Sequence, residues 1–326
     1  MVAKKEDFEL IRQVHTVLVL HFIEGMKQAE IAQKLNLSTS KVNRLITQGR
    51  SLGMVKIAIE SPYQGLVDLE QRLVAATQLE NAIVAPTVSG NPDTTLQQVG
   101  RAAANHLLET IRDGDVIAIT GGKAMSAVAE NLQPERKFDV TVVPLTGGVQ
   151  GKYYTDVNHL ATRIAERLGG KAMLIHAPLF TESREQRDVV MGMGSIKEVF
   201  DLARRAAVAL VGIGSIAAPG SSYFDLHPMP KPGREQLVKA GVIAEFLAHL
   251  IRRDGTLADD TLNSRLIALD PAELRHCPRT IGVAAGKEKV EPIQAVLRGR
   301  LLNSLIVDEE TAGKVLKSIG ESRNVA

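Results

Sequence analysis

Two short segments of this chain carry residue types that suit ligand binding, and the first is a lysine behind a glycine pair. Gly121-Gly122-Lys123 follows the apolar run 116–120 and precedes a helical pattern. A glycine pair between a strand and a helix lets backbone N–H groups approach an anion, and a lysine adds positive charge. The segment therefore predicts a phosphate site, with glycines that serve only a tight turn as the alternative. Its spacing is not that of a Walker A loop.

Three further glycine turns also follow apolar runs. They are Thr146-Gly147-Gly148-Val149, Gly212-Ile213-Gly214-Ser215 and Ala284-Ala285-Gly286-Lys287. The carboxyl ends of parallel strands lie at one edge of a sheet, where ligands of open α/β folds bind, so we expect the four loops to converge. Glu245 and Lys289 are the charged residues that we expect at the same rim. For each of them alone, a solvated surface charge is the alternative.

The second segment, residues 28–48, predicts a helix-turn-helix. Two short helical patterns, 28–35 and 39–48, are separated by Asn36-Leu37-Ser38. So close a crossing needs a small residue, here Ala32, and a turn residue that tolerates a left-handed backbone, here Asn36. Ser38 is suited to cap the second helix. A helical hairpin that serves only packing or dimerisation is the alternative.

The outer face of the second helix is rich in amide, hydroxyl and basic side chains. Such side chains bind base edges in the major groove and the phosphates of duplex DNA. We therefore expect the DNA contacts to come from Gln28, Thr39, Ser40, Lys41, Asn43, Arg44 and Gln48. The first 60 residues hold nine Lys and Arg against six Asp and Glu, a net charge of +3, whereas the remainder carries −1. The positive charge thus lies in the segment with this motif.

A helix, a wing and a linker surround the motif. Helical spacing of apolar residues predicts a first helix over 8–22, and the alternation over 54–59 predicts a strand that forms a wing. Residues 61–65 have the composition of a linker, and 66–79 predict a connecting helix. The expected domains are a winged helix-turn-helix (1–60), a linker with its helix (61–80) and a larger domain (81–326).

The larger domain alternates short apolar strands with helices. Such a pattern predicts a parallel sheet covered by helices on both faces, an α/β fold. The predicted strands are 82–84, 116–120, 140–145, 172–175, 207–211, 280–284 and 304–307, and the predicted helices are 99–111, 124–132, 157–168, 196–205, 288–298 and 309–319.

Composition and residue spacing exclude several classes of protein. The chain has 326 residues, 44% of them hydrophobic and 23% charged, which excludes a disordered or coiled-coil protein. Aromatic residues make up only 3%, too few for a surface that stacks single-stranded bases. The single cysteine, Cys277, excludes an intramolecular disulfide and suits a reducing compartment.

No feature of the sequence points to a membrane, a metal or a catalytic nucleophile. The N-terminus lacks a signal peptide's apolar stretch, and the longest uncharged apolar run, 206–218, is too short to span a bilayer. We therefore expect a cytoplasmic protein without a membrane partner. The histidines show no metal-ligand spacing, and no nucleophile-elbow motif occurs, so we expect no metal, cofactor or catalytic residue. Tyr153, Tyr154, Tyr223 and Phe224 are candidates to line a ligand pocket, with packing as the alternative.

These features together resemble the SorC family of bacterial transcriptional regulators, also called DeoR-like sugar-binding-domain regulators. The resemblance covers nearly the whole chain. It is carried by residues 28–50, 116–132, 143–149, 209–215, 262–265 and 283–289. It implies a Rossmann-like effector domain, similar to ribose-5-phosphate isomerase and glucosamine-phosphate deaminase, that has kept sugar-phosphate binding and lost catalysis. It also implies operator binding as a dimer of dimers.

The resemblance further implies an effector site. Residues 122–125 would hold the effector phosphate, Gly148 and the Gly212 loop would line the pocket, and Glu245 and Lys289 would hold the sugar oxygens. The expected effector residues are Gly121, Gly122, Lys123, Ala124, Met125, Gly147, Gly148, Gly212, Gly214, Ser215, Glu245 and Lys289.

Several positions in the ligand region depart from the family. Trp-Gly-x-Thr is common where this chain has Gly121-Gly122-Lys123-Ala124, so an aromatic wall and a hydroxyl donor are missing. The family's Gly before the acidic residue is Ala244 here, and its later Gly and Arg are Ala248 and His249.

The sequence therefore predicts a DNA-binding regulator of a carbohydrate catabolic operon. A sugar or sugar-phosphate effector would control its affinity for double-stranded operator DNA, and the protein would be a homo-oligomer, dimer or tetramer, rather than an enzyme. The alternative is a sugar-phosphate isomerase or deaminase-like enzyme with an accessory helical domain. Such an enzyme would need Glu245 as its base, or Lys123 or Lys289 as a Schiff-base amine.

Overall fold

The structure is a computed structural model that describes residues 2–55, 63–88, 90–149, 156–218, 221, 223–227, 230–258 and 261–323. It divides into two compact units, Met1–Pro62 and Tyr63–Ala326. Each unit has its own apolar core.

The N-terminal unit is a small helical bundle. Its helices are α1 (Val2–Leu18), continued by a π-helical turn (Val19–Ile23), α2 (Gln28–Lys34) and α3 (Thr39–Ser51). Val14, Ile31 and Leu45, from the three helices, meet in its core. A Cβ at Gly49 of α3 would lie 2.6 Å from the end of the Leu18 side chain, so the glycine allows α1 and α3 to approach without a shift of that side chain.

The turn between α2 and α3 has the predicted geometry. Asn36 has a φ of 55°, in the left-handed region that asparagine tolerates. The Leu37 N–H donates to the Ala32 carbonyl (2.8 Å), and the Lys41 N–H donates to the Ser38 side chain (3.2 Å), which caps α3. The predicted turn and cap are thus confirmed. Of the predicted wing, residues 56–59 lie outside the described residues, as do 61 and 62 of the linker, and Met54 and Val55 are not in a strand.

The larger unit is built on a seven-stranded sheet in which every pairing is parallel. Its strands, in sheet order, are β1 (Asn81–Ala85), β10 (Ser304–Asp308), β9 (Thr280–Ala284), β5 (Val208–Gly212), β2 (Val116–Ile119), β3 (Thr141–Pro144) and β4 (Lys171–Ala172). The helices around it are α4 (Gln64–Ala76), α5 (Pro92–Thr110), α6 (Lys123–Asn131), α7 (Val157–Leu168), α8 (Arg184–Gly192), α9 (Gly194–Arg204), α13 (Val290–Arg298) and α14 (Glu309–Arg323).

Alternate side chains of the central strands enter two different cores. Ile117 and Ile119 of β2 belong to one apolar cluster, whereas Ala118 between them belongs to the other. A strand buried on both faces is expected to be apolar at consecutive positions, as β2 is. The predicted α/β fold, with a parallel sheet covered on both faces, is confirmed.

The predicted strand over 172–175 is wrong in its extent, because β4 ends at Ala172. At Ile175, the side chain of Asn158 supplies the hydrogen bonds that a neighbouring strand would otherwise supply. It accepts from the Ile175 N–H (3.0 Å) and donates to the Ile175 carbonyl (2.8 Å).

A second, antiparallel sheet was not predicted. It contains β6 (Gly214–Ser215), β7 (Val242–Phe246) and β8 (His249–Arg252), accompanied by α10 (Tyr223–Leu226), α11 (Lys231–Lys239) and α12 (Thr261–Ser264). The turn between β7 and β8 consists of Leu247 (φ 52°) and Ala248 (φ 62°). Hairpin turns with two positive φ values usually contain Asn or Gly, so this turn carries no signal in the sequence.

Candidate functional site

The four predicted glycine loops follow four neighbouring strands. In the sheet order β9, β5, β2, β3, Gly286, Gly122 and Gly148 lie in the loops after β9, β2 and β3, and Gly212 is the last residue of β5. Because all four strands are parallel, the loops lie at one edge. From β2 the chain continues outward to β3 and β4, and from β5 it continues outward to β9 and β10. The point between β2 and β5 is therefore the topological switch point, where ligands of open α/β sheets bind.

Gly122 precedes helix α6 in a conformation that favours glycine. Its φ is +114°, and it is the N-cap residue without a side-chain cap. A Cβ at Gly122 would meet nothing within 4 Å, so the space beside the start of α6 is open. Lys123 is exposed, Ala124 is partly buried and Met125 is fully buried. Of these three residues, Lys123 thus has the side chain most accessible to a ligand.

The loops after β2 and β5 adjoin each other. The Gly212 N–H donates to the Thr120 hydroxyl (3.1 Å), and a Cβ at Gly212 would lie 3.9 Å from the Gly121 carbonyl. These contacts place the Gly121-Gly122 turn beside the segment that leads to Gly214.

Gly147 and Gly148 use their backbone N–H groups within the protein. Gly147 donates to the Ile267 carbonyl (2.7 Å) and Gly148 to the Ala177 carbonyl (2.9 Å). A Cβ at Gly147 would lie 2.4 Å from the Pro178 carbonyl, so this glycine allows two backbone segments to approach. Gly148 borders an open cavity of about 610 Å³ that His176 and Phe180 also line. The two residues shape the rim but do not offer their N–H groups to a ligand.

Glu245 lies on β7, opposite Gly214 of β6. A Cβ at Gly214 would lie 2.2 Å from the Glu245 Oε2, so Gly214 leaves space for this carboxylate. The Ala248 N–H, from the strained turn, donates to the Glu245 Oε1 (2.6 Å). Burial raises the pKa of Glu245, against the opposing effects of the Ala248 N–H and the charge of Lys289.

Lys289 ends a short 3-10 turn (Lys287–Lys289) behind Gly286, whose φ is +105°. Burial lowers the pKa of Lys289, and the positive charge of Lys123 lowers it further. The charges of Glu288 and Glu245 act in the opposite direction. The structure therefore brings Lys123 and Glu245 within electrostatic reach of Lys289, although the three residues are far apart in the sequence.

The remaining predicted pocket residues have mainly packing environments. Ser215 is 4% exposed and lies opposite Ala244 in the small sheet. Tyr223 and Phe224 are buried in the core of that sheet, where the ring centroids of Tyr223 and Phe180 are 6.4 Å apart. Tyr153 and Tyr154 lie outside the described residues.

The part of the chain that the structure describes holds no group of three or more His, Cys, Asp or Glu side chains that could bind a metal. Within the same residues, no helix is long and apolar enough to cross a membrane.

The outer face of α3 is polar and accessible. Val42, Leu45 and Ile46 point into the core of the N-terminal unit. All the predicted DNA-binding residues lie on α3 except Gln28, which is the first residue of α2. Thr39, Ser40, Asn43 and Arg44 are exposed, whereas Gln28, Lys41 and Gln48 are partly buried.

Comparison with known protein families gives one match in each of the two units. Residues 61–317 match Sugar-bind, the model of a sugar-binding domain, and residues 9–52 match a model of region 4 of sigma-70. The chain belongs to the Sugar-bind family. The predicted resemblance to SorC-type regulators is confirmed by the proteins that are similar over their full length.

Three of these relatives are named as regulators. The erythritol catabolism regulatory protein EryD of Brucella abortus is 32% identical, with 90% of this chain and 92% of that protein covered. The transcriptional regulator LsrR of Klebsiella pneumoniae is 29% identical over 91% of this chain and 90% of its own. The crystal structure of the full-length sorbitol operon regulator SorC from Klebsiella pneumoniae has a TM-score of 0.73 at 29% identity, covering 94% of this chain and 98% of that one.

Two features of the site were missed at the level of sequence. One is the turn Leu247-Ala248, which supplies the N–H that binds Glu245. The other is Asp308, at the end of β10, which accepts a hydrogen bond from the Gly286 N–H (2.9 Å). An Asp between an apolar strand and a helix looks like an ordinary helix cap in the sequence, so no signal pointed to the second contact.

Proposed function

We propose that this protein is a DNA-binding regulator of a carbohydrate catabolic operon whose operator affinity is controlled by a sugar or sugar phosphate. The observation that carries the proposal is the cluster of Lys123, Glu245 and Lys289 at the switch point of the sheet. Perturbed charges gathered at a ligand-binding edge are typical of a functional site. The names of the relatives, which refer to erythritol catabolism and the sorbitol operon, support a sugar or polyol as the ligand class.

The effector would contact the three charged residues in different ways. The N–H groups at the start of α6, with the Lys123 side chain, would hold an anionic group, and Lys289 would donate to sugar oxygens. The Glu245 carboxylate would accept from sugar hydroxyls. Lys123 and Lys289 are the two cations that would attract a phosphorylated ligand, and the charges of Glu245 and Glu288 would act against them. Gly121, Ala124, Met125, Gly147, Gly148, Gly212, Gly214 and Ser215 would line or shape the site.

Helix α3 would enter the major groove of the operator. Its exposed residues Thr39, Ser40, Asn43 and Arg44, with Gln28, Lys41 and Gln48, would contact bases and phosphates. We infer a winged helix-turn-helix over 1–60, a linker and helix over 61–80 and the effector and oligomerisation domain over 81–326. A homo-oligomer, dimer or tetramer, would bind repeated half-sites. Regulation of an operon would take place in the cytoplasm.

Effector control requires that the ligand bind one arrangement of the oligomer better than another. The shift in operator affinity is then limited to the ratio of the two effector affinities. We infer no catalytic role for Glu245, because the relatives are named as regulators. Incubation with aldose and ketose phosphates tests this point, since an isomerase or deaminase would release product whereas a regulator would only bind.

A thermal-shift screen of sugars, polyols and their phosphates tests the proposed function. A ligand at a hundred times its Kd stabilises by about 2.7 kcal/mol, which raises the Tm of a unit this size by roughly 5–10 °C. The ligand that raises the Tm should change the affinity for an operator selected from random DNA. Failure of every sugar and sugar phosphate to do either would contradict the proposal.

A further inference from the structure

Asp308 is a buried carboxylate that joins three segments of the larger unit. It lies at the carboxyl end of β10 and is 1% exposed. Its Oδ2 accepts from the Gly286 N–H (2.9 Å), and its Oδ1 accepts from the Thr311 N–H (3.1 Å) and the Thr87 hydroxyl (3.0 Å). A buried carboxylate persists where such donors compensate its desolvation, so this network fixes the three segments relative to one another.

One branch of the network fixes the turn that carries Lys289. The Gly286 N–H donates to Asp308, while the Gly286 carbonyl accepts from the Lys289 N–H (2.9 Å). Gly286 itself has a φ of +105°, and a Cβ there would lie 2.6 Å from the Glu288 carboxylate. Two hydrogen bonds thus hold the backbone of the Lys289 turn at Gly286. One of them lies within the turn, and the other comes from Asp308, outside it.

The other branch reaches helices α14 and α4. By accepting from the Thr311 N–H, Asp308 caps α14, and the Thr87 hydroxyl that donates to Asp308 accepts from the Glu310 N–H (2.9 Å). Helix α14 packs against α4, the first helix of the larger unit. One carboxylate therefore contacts both the turn of a candidate effector ligand and the cap of a helix that packs on α4.

We propose that Asp308 is a positioning residue of the effector site, which holds Lys289 in place and ties the position of its turn to the capped end of α14. The inference rests on the proposed function in that Lys289 is taken as an effector ligand. An effector that moves Lys289 would act on α14, and hence on α4, through this carboxylate. Nothing in the role requires Asp308 to touch the effector.

Asp308→Asn tests the role because it is isosteric and removes one acceptor. An amide NH2 that faces Thr311 and Thr87 would cost the two hydrogen bonds to these residues. An amide NH2 that faces Gly286 would cost only the hydrogen bond from the Gly286 N–H. The second orientation is therefore favoured, and the Lys289 turn loses its anchor while α14 stays capped. Gly286→Ala strains the same turn from the other side, because a φ of +105° disfavours a residue with a side chain.

The readout is the titration of Lys289 in the ligand-free protein. Lysines are reductively methylated with ¹³C-formaldehyde, and the Lys289 methyl resonance is identified by its absence in Lys289→Arg. In the wild type, we expect this resonance to titrate below the ordinary lysine value of 10.5, because burial lowers the pKa of Lys289. In Asp308→Asn and in Gly286→Ala, we expect the titration to move up toward 10.5 as the side chain gains access to water.

Asp115→Asn is the matched control. Its carboxylate accepts from the Arg112 N–H (2.9 Å) in a turn before β2, at the amino end of the strand, and the substitution should leave the Lys289 titration unchanged. A merely stabilising role for Asp308 would lower the Tm without moving this titration. If Asp308→Asn does not fold, Asp308→Glu takes its place, because the longer side chain keeps the negative charge and moves the carboxylate away from the Gly286 N–H. The proposal is overturned if the folded variants leave Lys289 titrating as in the wild type, or if wild-type Lys289 titrates at its ordinary value.

Titration with inorganic phosphate separates this inference from the proposed function. In the wild type, phosphate should shift the Lys289 resonance, and Asp308→Asn should weaken that response by about tenfold. If neither phosphate nor any sugar phosphate perturbs the wild-type resonance, the proposed ligand class fails, while the ligand-free titration still decides the role of Asp308.

Discussion

The outer face of α3 and the carboxyl edge of the large sheet both collect polar side chains, but in opposite ways. On α3, the polar residues lie on one regular helix above an apolar core, and four of them, Thr39, Ser40, Asn43 and Arg44, are exposed. At the sheet edge, Lys123, Glu245 and Lys289 come from three distant segments, and burial shifts the pKa values of the latter two. A surface for DNA can keep its charges in water, whereas a pocket for a small ligand must remove its charges from water before the ligand arrives.

The largest effect is expected from Arg44→Ala, which removes an exposed cation from α3. If Arg44 contacts a base, affinity for the selected operator should fall by about 5–150-fold, and affinity for random DNA should fall much less. Fluorescence anisotropy with both DNAs measures the difference. Arg12→Ala, an exposed cation on α1, is the control and should change neither affinity by more than a few-fold. Equal losses on both DNAs would make Arg44 a phosphate contact.

The second prediction concerns the sheet edge alone. Lys289→Ala should weaken effector binding by about 10–100-fold, because a charge-assisted hydrogen bond in a partly buried site is lost. Calorimetry with the ligand that raises the Tm measures the change. Lys287→Ala, an exposed lysine two residues away in the same turn, should bind as the wild type does. Equal losses in the two variants would mean that only the overall charge of the turn matters.

The two regions also differed in how far the sequence revealed them. The α3 face was predictable because helical spacing, Ala32, Asn36 and Ser38 together define which side of the helix is buried. The convergence of the glycine loops was predictable because it follows from parallel strands. By contrast, the contact of Ala248 with Glu245 depends on a turn without Asn or Gly, and the contact of Asp308 with Gly286 depends on pairing between β10 and β9. Such contacts are set by tertiary structure and leave no local pattern.

A smaller effect is expected on the stability of the ligand-free protein, because the charges at the sheet edge are buried whereas those on α3 are exposed. Burial raises the pKa of Glu245 from 4.5. The protonated side chain therefore adds to the free energy of unfolding at low pH, and this contribution is lost as the pH rises through the raised pKa. Burial lowers the pKa of Lys289 from 10.5. The neutral side chain therefore adds to the free energy of unfolding at high pH, and this contribution is lost as the pH falls through the lowered pKa. For each of the two side chains, the charged form is therefore less favourable in the folded state than in the unfolded chain.

Replacing both charges should stabilise the ligand-free protein. We expect Glu245→Gln combined with Lys289→Met to raise the Tm by about 2–6 °C at pH 7 and to abolish the effector response. Thermal denaturation followed by circular dichroism measures the change. Either single substitution should gain less, because it leaves one buried charge without the other. A double variant that melts below the wild type would show that the charged site contributes to stability.

The smallest effect is expected from pH. Effector affinity should be highest between the raised pKa of Glu245 and the lowered pKa of Lys289. Below this window Glu245 is protonated and loses acceptor capacity, and above it Lys289 loses its charge. The change within the window should be a few-fold, after correction for the effector's own phosphate, which titrates near pH 6. Calorimetry between pH 5 and 10 measures it, and a flat profile in a Lys289→Arg variant above neutral pH is the control.

The most direct test of the account is the operator affinity of the wild type and of Lys289→Ala, each with and without the effector found by thermal shift. We expect the two proteins to bind operator equally well in the absence of effector, because α3 keeps its exposed residues. At an effector concentration that occupies the wild type but not the weakened site of Lys289→Ala, we expect the operator Kd of the wild type to change by about tenfold or more and that of Lys289→Ala to stay unchanged. A Lys289→Ala protein that responds to the effector as the wild type does would contradict the account.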